Sequence, residues 1–272
     1  MLEHNPQTND LAVETHALVR RFGDFVAVDD LNLLVKRGSF FGFLGPNGAG
    51  KSTTIKMLTG LLAPTSGSMH VLGRDLLAQP LEVKRRIGVV PEDLNLFERL
   101  TGAEMLTFTA RMYGVPRAEI AQRSQELLEL MELRSEPRKL IVEYSHGMKK
   151  KLSLACALIH RPEILFLDEP FEGVDAIASR TLKDLLSRLT TRGLTVFLTS
   201  HVLEIVERLC SDIAIIAHGK LLAAGPLNEL REGIQVEGDG RQTGPVSLEE
   251  YFIHIVGGER STGEEEVLQW LT

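Results

Sequence analysis

Gly45-Pro46-Asn47-Gly48-Ala49-Gly50-Lys51-Ser52 matches G-x-x-x-x-G-K-[ST] in full, and Thr53 and Thr54 follow directly. The pattern describes a physical device. A glycine-rich turn aims consecutive backbone N–H groups inward, and the N-terminus of the next helix adds its dipole, so the loop cradles nucleotide phosphates. Lys51 is expected to reach the β- and γ-phosphates, and the Ser52 hydroxyl to ligate Mg²⁺. The setting is the required one. Ser39-Phe40-Phe41-Gly42-Phe43-Leu44 reads as a buried strand leading in, and Ile55-Lys56-Met57-Leu58-Thr59-Gly60 as a helix leading out.

A second half-site lies further along the chain. Ile164-Leu165-Phe166-Leu167 is a continuous apolar run, the mark of a parallel strand buried on both faces, and it ends in Asp168-Glu169-Pro170. Carboxylates at the C-terminal tip of such a strand sit where α/β sheets bind ligands. Asp168 suits a Mg²⁺-holding role through the hydration shell. Glu169 is one residue on, so its side chain diverges, and it suits a general base acting on the attacking water.

With these two motifs on the page, the chain resembles the nucleotide-binding subunits of ATP-binding cassette transporters over roughly residues 13–232. Further motifs carry the resemblance in order and at the usual spacing. Tyr144-Ser145-His146-Gly147-Met148 stands in the position of the family signature and opens a helix through Lys149-Lys150-Lys151. Phe171-Glu172-Gly173-Val174-Asp175 occupies the D-loop, and His201, after the apolar strand 194–200, the switch histidine. Phe22 in Arg20-Arg21-Phe22-Gly23 matches the aromatic that stacks on adenine. Ile87-Gly88-Val89-Val90 followed by Pro91-Glu92 matches the Q-loop. Ser145 also reads locally as an N-cap, which aims its hydroxyl and the helix dipole at an anion.

The resemblance implies an α/β fold, a P-loop NTPase cassette. It would have a RecA-like core, an antiparallel β subdomain and a helical subdomain over about 94–157. A linker and short helical extension would follow over 233–272. It implies ATP and Mg²⁺ as ligands. Phe22, Gly45, Pro46, Asn47, Gly48, Ala49, Gly50, Lys51, Ser52 and Thr53 would hold the nucleotide. Ser145 and Gly147 would do so from a second subunit, and Ser52, Glu92 and Asp168 would hold the metal. Lys51, Glu169 and His201 would carry hydrolysis. The implied protein is a cytosolic ATPase subunit, working as a head-to-tail dimer of two copies or of paralogues. It would lie at the cytoplasmic face of the membrane, coupled to export through a separate integral membrane permease.

Three positions depart from the usual pattern. Glu92 replaces the Q-loop glutamine and adds charge near the γ-phosphate while remaining a hard-oxygen ligand. His146 puts a ring where the signature has glycine, and Met148 removes a polar contact. Tyr-Ser-x-Gly-Met is a frequent variant in exporter-type cassettes. A soluble regulatory cassette, or one acting on nucleic acid or ribosomes, is the competing reading. A single phosphate loop without tandem copy or long heptad run counts against the nucleic-acid or ribosome reading, whereas the Glu92 and His146 departures keep the regulatory one open.

Composition bounds the rest. The 272 residues are 43% hydrophobic and 25% charged, with net charge -7, which repels a phosphate backbone, so no nucleic-acid partner is expected. No segment approaches ~18 uninterrupted apolar residues, and the polar first ten lack a signal-peptide core, so neither a membrane span nor a leader is expected. Cys156 and Cys210 read as buried reduced thiols. Asp29-Asp30 and Lys36-Arg37-Gly38 read as turns between short strands, and His218-Gly219 as a hairpin turn. Leu106, Phe108 and Met112 share a helical apolar spacing, as do Ile120, Leu127, Leu128 and Met131. Lys149–Lys151 are expected mostly on a solvated helix face. Residues 238–245 read as a flexible linker, Ser247-Leu248-Glu249-Glu250 as a capping box opening a helix docked on its own domain, and Glu264–Glu266 as a solvated tail.

Overall fold

A computed structural model describes residues 10–134, 137–232 and 247–257. The expected linker at 238–245 and the acidic run at 264–266 lie outside them.

The chain opens on a long hairpin, β1 (Leu11–Phe22) and β2 (Phe25–Lys36). The phosphate loop follows β3 (Phe40–Leu44) and leads into α1 (Lys51–Leu58). β4 (Ser66–Val71) and the short β5 (Arg74–Asp75) complete an antiparallel sheet in the order β2-β1-β4-β5. After α2 (Pro80–Lys84) and β6 (Ile87–Val90), three helices form a lobe: α3 (Gly102–Met112), α4 (Arg117–Leu130) and α5 (His146–Leu158). The chain then alternates through β7 (Ile164–Asp168), α6 (Ala176–Thr190), β8 (Thr195–Ser200), α7 (Leu203–Leu209) and β9 (Asp212–Ala217). It closes with β10 (Lys220–Pro226), α8 (Leu227–Glu232) and α9 (Leu248–Gly257). The main sheet has the order β10-β9-β3-β8-β7-β6, parallel throughout except for the edge strand β10.

This order explains why β3, β7 and β8 are apolar without alternation. Each lies inside the sheet and is covered on both faces. Phe40 and Leu44 of β3 point into one core, shared with Leu165 and Leu167 of β7 and the helices α3–α7. Phe41 and Phe43 point into the other, between the main sheet and the antiparallel one, where Phe41 and Phe166 each lie 5.4 Å from the ring of Phe197. Strand ends β3, β7 and β8 therefore converge at one edge, with the phosphate loop, Asp168-Glu169 and His201 just beyond them.

Helix starts follow local chemistry. Thr101 and Glu104 form a reciprocal capping box on α3, the Asp175 carboxylate accepts from the Ile177 and Ala178 amides to cap α6, and Ser145 caps α5 through the Met148 amide at 3.2 Å. The Asp175 carboxyl is held below its ordinary range, chiefly by the Ala178 amide. Ser247 and Glu250 form the expected capping box, and α9 buries Leu248 and Tyr251 against the core. Both cysteines are buried, and burial pushes the Cys156 thiol up to about 12. The His218-Gly219 turn joins β9 to β10 with both residues at positive φ.

Three expectations are corrected. Asp29-Asp30 is not a turn: β2 runs unbroken through it, and Asp30, at φ 52°, sits in an irregular stretch of the β1–β2 ladder, the reversal itself being at Gly23-Asp24. On α3 the buried face is Met105, Leu106 and Ala110, whereas Phe108 and Met112 are exposed. Lys150 and Lys151 are not solvated: they are 3% and 7% exposed. Lys151 Nζ pairs with Glu132 at 2.7 Å, and Lys149 with Glu98 at 2.9 Å. A helix packed between the lobe and the sheet leaves little outer face for three consecutive side chains to share.

Candidate nucleotide site

A cleft of about 420 Å³ opens at the converging strand ends, lined by Asn47, Gly48, Gly50, Lys51, Ser52, Thr53, Glu92, Glu169, Glu172 and His201, with Phe25 and Ala27 from β2. Its floor is the phosphate loop. Gly50 holds φ 108°, and a Cβ there would stand 2.5 Å from Ala27 O, so only glycine makes this turn beneath the hairpin. No side chain caps α1, which leaves its first amides facing the cleft. Lys51 Nζ donates to Gly45 O at 2.8 Å and lies 3.3 Å from Pro46 O, and Ala49 is buried beneath the loop.

The two half-sites meet here. Ser52 Oγ donates to Asp168 Oδ1 at 3.3 Å, across 116 positions of sequence. Thr199 Oγ1, fully buried in β8, donates to the same oxygen at 2.6 Å and accepts from the Glu169 amide at 3.1 Å. Glu169, at φ 45°, occupies the left-handed region, which costs a non-glycine residue roughly 1–3 kcal/mol and persists only where the surroundings impose it. Its Oε2 lies 3.1 Å from His201 Nδ1 and its Oε1 3.5 Å from Lys51 Nζ. Oε1 is buried and accepts no hydrogen bond, so it is a carboxylate oxygen ready to receive a proton donor.

Glu92, Asp168, Glu169 and Glu172 place four carboxylates around the cleft. Burial, followed by the charge of Asp168, then Glu172, Asp93 and Glu169, raises the Glu92 carboxyl above its ordinary range. Such a site gains from a divalent cation. Among the described residues, no three His, Cys, Asp or Glu side chains form a cage able to hold a metal alone. That fits Mg²⁺, which keeps several waters and takes phosphate oxygens in place of a full protein shell.

Ser145 and Gly147 do not line this cleft. Ser145 and His146 are exposed at the start of α5, and the His146 ring lies against Gly173 of the same chain. Phe22 does not line it either. It pairs with Phe25 across the hairpin tip, is 47% exposed, and carries the Arg20 guanidinium over its ring at 4.4 Å. Phe25, 64% exposed, is the aromatic at the cleft. Sequence reading missed Phe25, Thr199 and the Lys150 contact with Glu169, and had Glu172 only as part of a loop. No signal in β8 singled out Thr199, since Thr195 and Ser200 of the same strand also carry hydroxyls.

The family model described as "ABC transporter" matches residues 28–172. The chain is 37% identical over 245 residues to the bacitracin transport ATP-binding protein BcrA of Bacillus licheniformis, covering 88% of this chain and 79% of that one. It is 39% identical over 223 residues to the daunorubicin/doxorubicin resistance ATP-binding protein DrrA of Streptomyces peucetius, covering 82% and 68%. A solved structure described as an ATP-binding subunit of an ABC transporter superposes with a TM-score of 0.81 at 31% identity, over 90% of this chain and 99% of that one.

Proposed function

This chain belongs to the ABC transporter family, and from that premise we propose which of its residues hold ATP, which hydrolyse it, and how the reaction is passed to a membrane partner. The chain is an ATP-hydrolysing subunit that couples nucleotide turnover to transport, of the exporter-like branch. The observation that carries the site assignment is the Glu169 carboxylate. It is buried, its Oε1 faces the Lys51 ammonium at 3.5 Å without accepting a hydrogen bond from the described residues, and its Oε2 faces His201 at 3.1 Å, at the mouth of a loop built for phosphate.

The amides of Gly48–Ser52 and the Lys51 ammonium hold the β- and γ-phosphates. Ser52 Oγ, Asp168 and Glu92 would hold Mg²⁺, which when bound would neutralise phosphate charge. Glu169 orients and deprotonates the attacking water, and His201 keeps that carboxylate aligned while facing the γ-phosphate. Thr199 fixes Asp168 and the Glu169 peptide together, so the metal-binding and base functions keep one geometry. Phosphoryl transfer asks little covalent chemistry of the protein, and positioning with charge stabilisation supplies the rate. Adenine stacks on the β1–β2 hairpin tip, on Phe22 or Phe25.

Ser145 is exposed at the start of α5, away from the chain's own cleft, with Gly147 buried behind it, which supports a head-to-tail dimer completing each site. ATP then favours the closed dimer and hydrolysis releases it, a population shift passed to the permease. Among the described residues no helix is long and apolar enough to cross a membrane, and relatives named as ATP-binding proteins of transport and resistance support a pathway on another chain. Residues 13–232 form the cassette and 233–272 an extension. Export is supported by relatives named for bacitracin transport and daunorubicin/doxorubicin resistance.

The test is Glu169→Gln. ATP binding should persist while steady-state turnover falls by about two orders of magnitude. Turnover near that of the unaltered protein would overturn the assignment.

A further inference from the structure

Lys150 is a buried ammonium that the reaction as described does not use. Its Nζ donates to the Glu169 backbone carbonyl at 3.0 Å, in a pocket where its stem packs with Val90, Leu167, Pro170 and Phe171. The residue bonded is the one held in the left-handed region, and its amide is bonded by Thr199 from the other side. The Glu169 peptide is therefore gripped at both ends, by a neighbouring strand and by α5. Burial lowers the Lys150 ammonium from its ordinary range, while the carboxylates of Glu172, Glu92, Asp168 and Glu169 oppose that and keep charge favourable there.

The helix that supplies this grip begins at Ser145. Lys150 follows five positions later, about 7.5 Å along the axis at 1.5 Å per residue. The helix is seated closely on the sheet: a Cβ on Gly88 of β6 would stand 2.5 Å from Ala157 O, so glycine there admits the backbone of α5. Ser145 caps the unbroken helix that carries Lys150, so a displacement of its N-terminus has a direct route to Nζ.

We propose that Lys150 is a positioning residue that fixes the Glu169 peptide and ties the geometry of this base to the signature end of α5. The proposal rests on the assignment of Glu169 as base and of Ser145 to a second subunit's nucleotide. Each subunit then adjusts its own base according to whether its signature is engaged by the partner's ATP. A salt link or hydrogen bond across the interface is not needed for this coupling, because one unbroken helix carries both ends.

The experiment uses the full chain with MgATP and the variants Lys150→Met, Lys150→Arg and Glu169→Gln, together with Lys150→Met/Glu169→Gln. Lys150→Met keeps the stem and removes the donor. ATP affinity should stay within about threefold of the unaltered protein, while kcat falls by roughly 10-fold to 100-fold, the loss expected of a misplaced catalytic group. Lys150→Arg, which retains a donor, should recover most of it. In the Glu169→Gln background Lys150→Met should add no further loss, and Ser145→Ala with Lys150→Met should be non-additive in kcat. Lys150→Gln, polar but too short to reach the carbonyl, is read in the same way if the Met variant does not fold. An unchanged kcat per folded molecule overturns the proposal. So does a parallel fall of affinity, kcat and melting temperature that Arg does not rescue, or additivity with Ser145→Ala. Full turnover in Glu169→Gln alone would instead remove the assignment on which the proposal stands.

Discussion

Thr199→Val swaps a hydroxyl for a methyl at nearly constant volume, so without opening a cavity it removes two hydrogen bonds and a longer contact to Leu167 O at 3.5 Å. The first is the short bond to Asp168 Oδ1 at 2.6 Å. A charge-assisted bond of this kind contributes about 1.5–3 kcal/mol. The second is the bond accepted from the Glu169 amide at 3.1 Å, and Thr199 is fully buried. An amide orphaned there costs about 1–3 kcal/mol. The two share one network and do not sum in full, so about 3 kcal/mol of destabilisation is the expected net. For a domain of this size that corresponds to a fall of about 6–12 °C in melting temperature, at roughly 2–4 °C per kcal/mol. Asp168 would keep only the longer contact from Ser52. The control is Thr199→Ser, which retains both bonds and loses one methyl, about 1 kcal/mol or roughly 3 °C. Circular dichroism melts of the three proteins at one scan rate measure the order. A Val variant melting within about 2 °C of the unaltered protein, or above the Ser variant, would show that the hydroxyl does not hold the strand tips together. Turnover should follow, falling about tenfold or more in Val as the Glu169 peptide loosens, and little in Ser.

Lys51→Ala removes the ammonium facing the phosphates and should weaken ATP binding roughly tenfold or more by calorimetry, the fold surviving, with unchanged affinity counting against its role. Ser145→Arg places a long cation at the subunit interface. In a Glu169→Gln background, light scattering with MgATP should find monomer where Glu169→Gln alone gives dimer, and a persisting dimer would remove the signature from a shared site. Glu163 accepts from Arg86 at 2.7 Å and from Arg37 at 3.2 Å, and the Arg86 bond holds its carboxyl below the ordinary value of 4.5. A carboxyl depressed in the folded state stabilises above its unfolded value and loses that contribution as pH falls through the folded one. The melting difference between the unaltered protein and Glu163→Gln should therefore be full at pH 7 and shrink below about pH 4.5. A difference constant from pH 7 to pH 3 would refute the pairing.

Much of the site was legible in the chain because the device that holds phosphate is local. Gly45–Ser52 specifies its own loop, and the left-handed φ of Gly50 needs glycine wherever the rest of the molecule lies. Runs such as Phe40–Leu44 and Ile164–Leu167 announce burial on both faces. Ser145 and Ser247 announce helix starts, because a cap bonds amides only two or three residues away. The two local motifs brought Lys51, Asp168 and Glu169 into one reading, and the resemblance to ATP-binding cassettes added His201.

What the tertiary structure decided concerns side chains whose partners are distant in sequence. Lys149, Lys150 and Lys151 look alike as a basic run, yet Lys149 pairs with Glu98, Lys150 with the Glu169 carbonyl and Lys151 with Glu132, because α5 lies between lobe and sheet. Phe108 and Met112 share a face with each other at i,i+4 but not with Leu106, and fall outside the stripe that α4 and α5 cover. Asp29-Asp30 has turn composition, but pairing with β1 on a twisted hairpin carries the strand through it by an irregularity in the ladder. Phe25 rather than Phe22 lines the cleft because of how the hairpin tip leans over the loop. Periodicity states which backbone a segment prefers. Which neighbour a side chain meets is set by packing of segments 19, 51 or 116 positions apart, and no local pattern contains that.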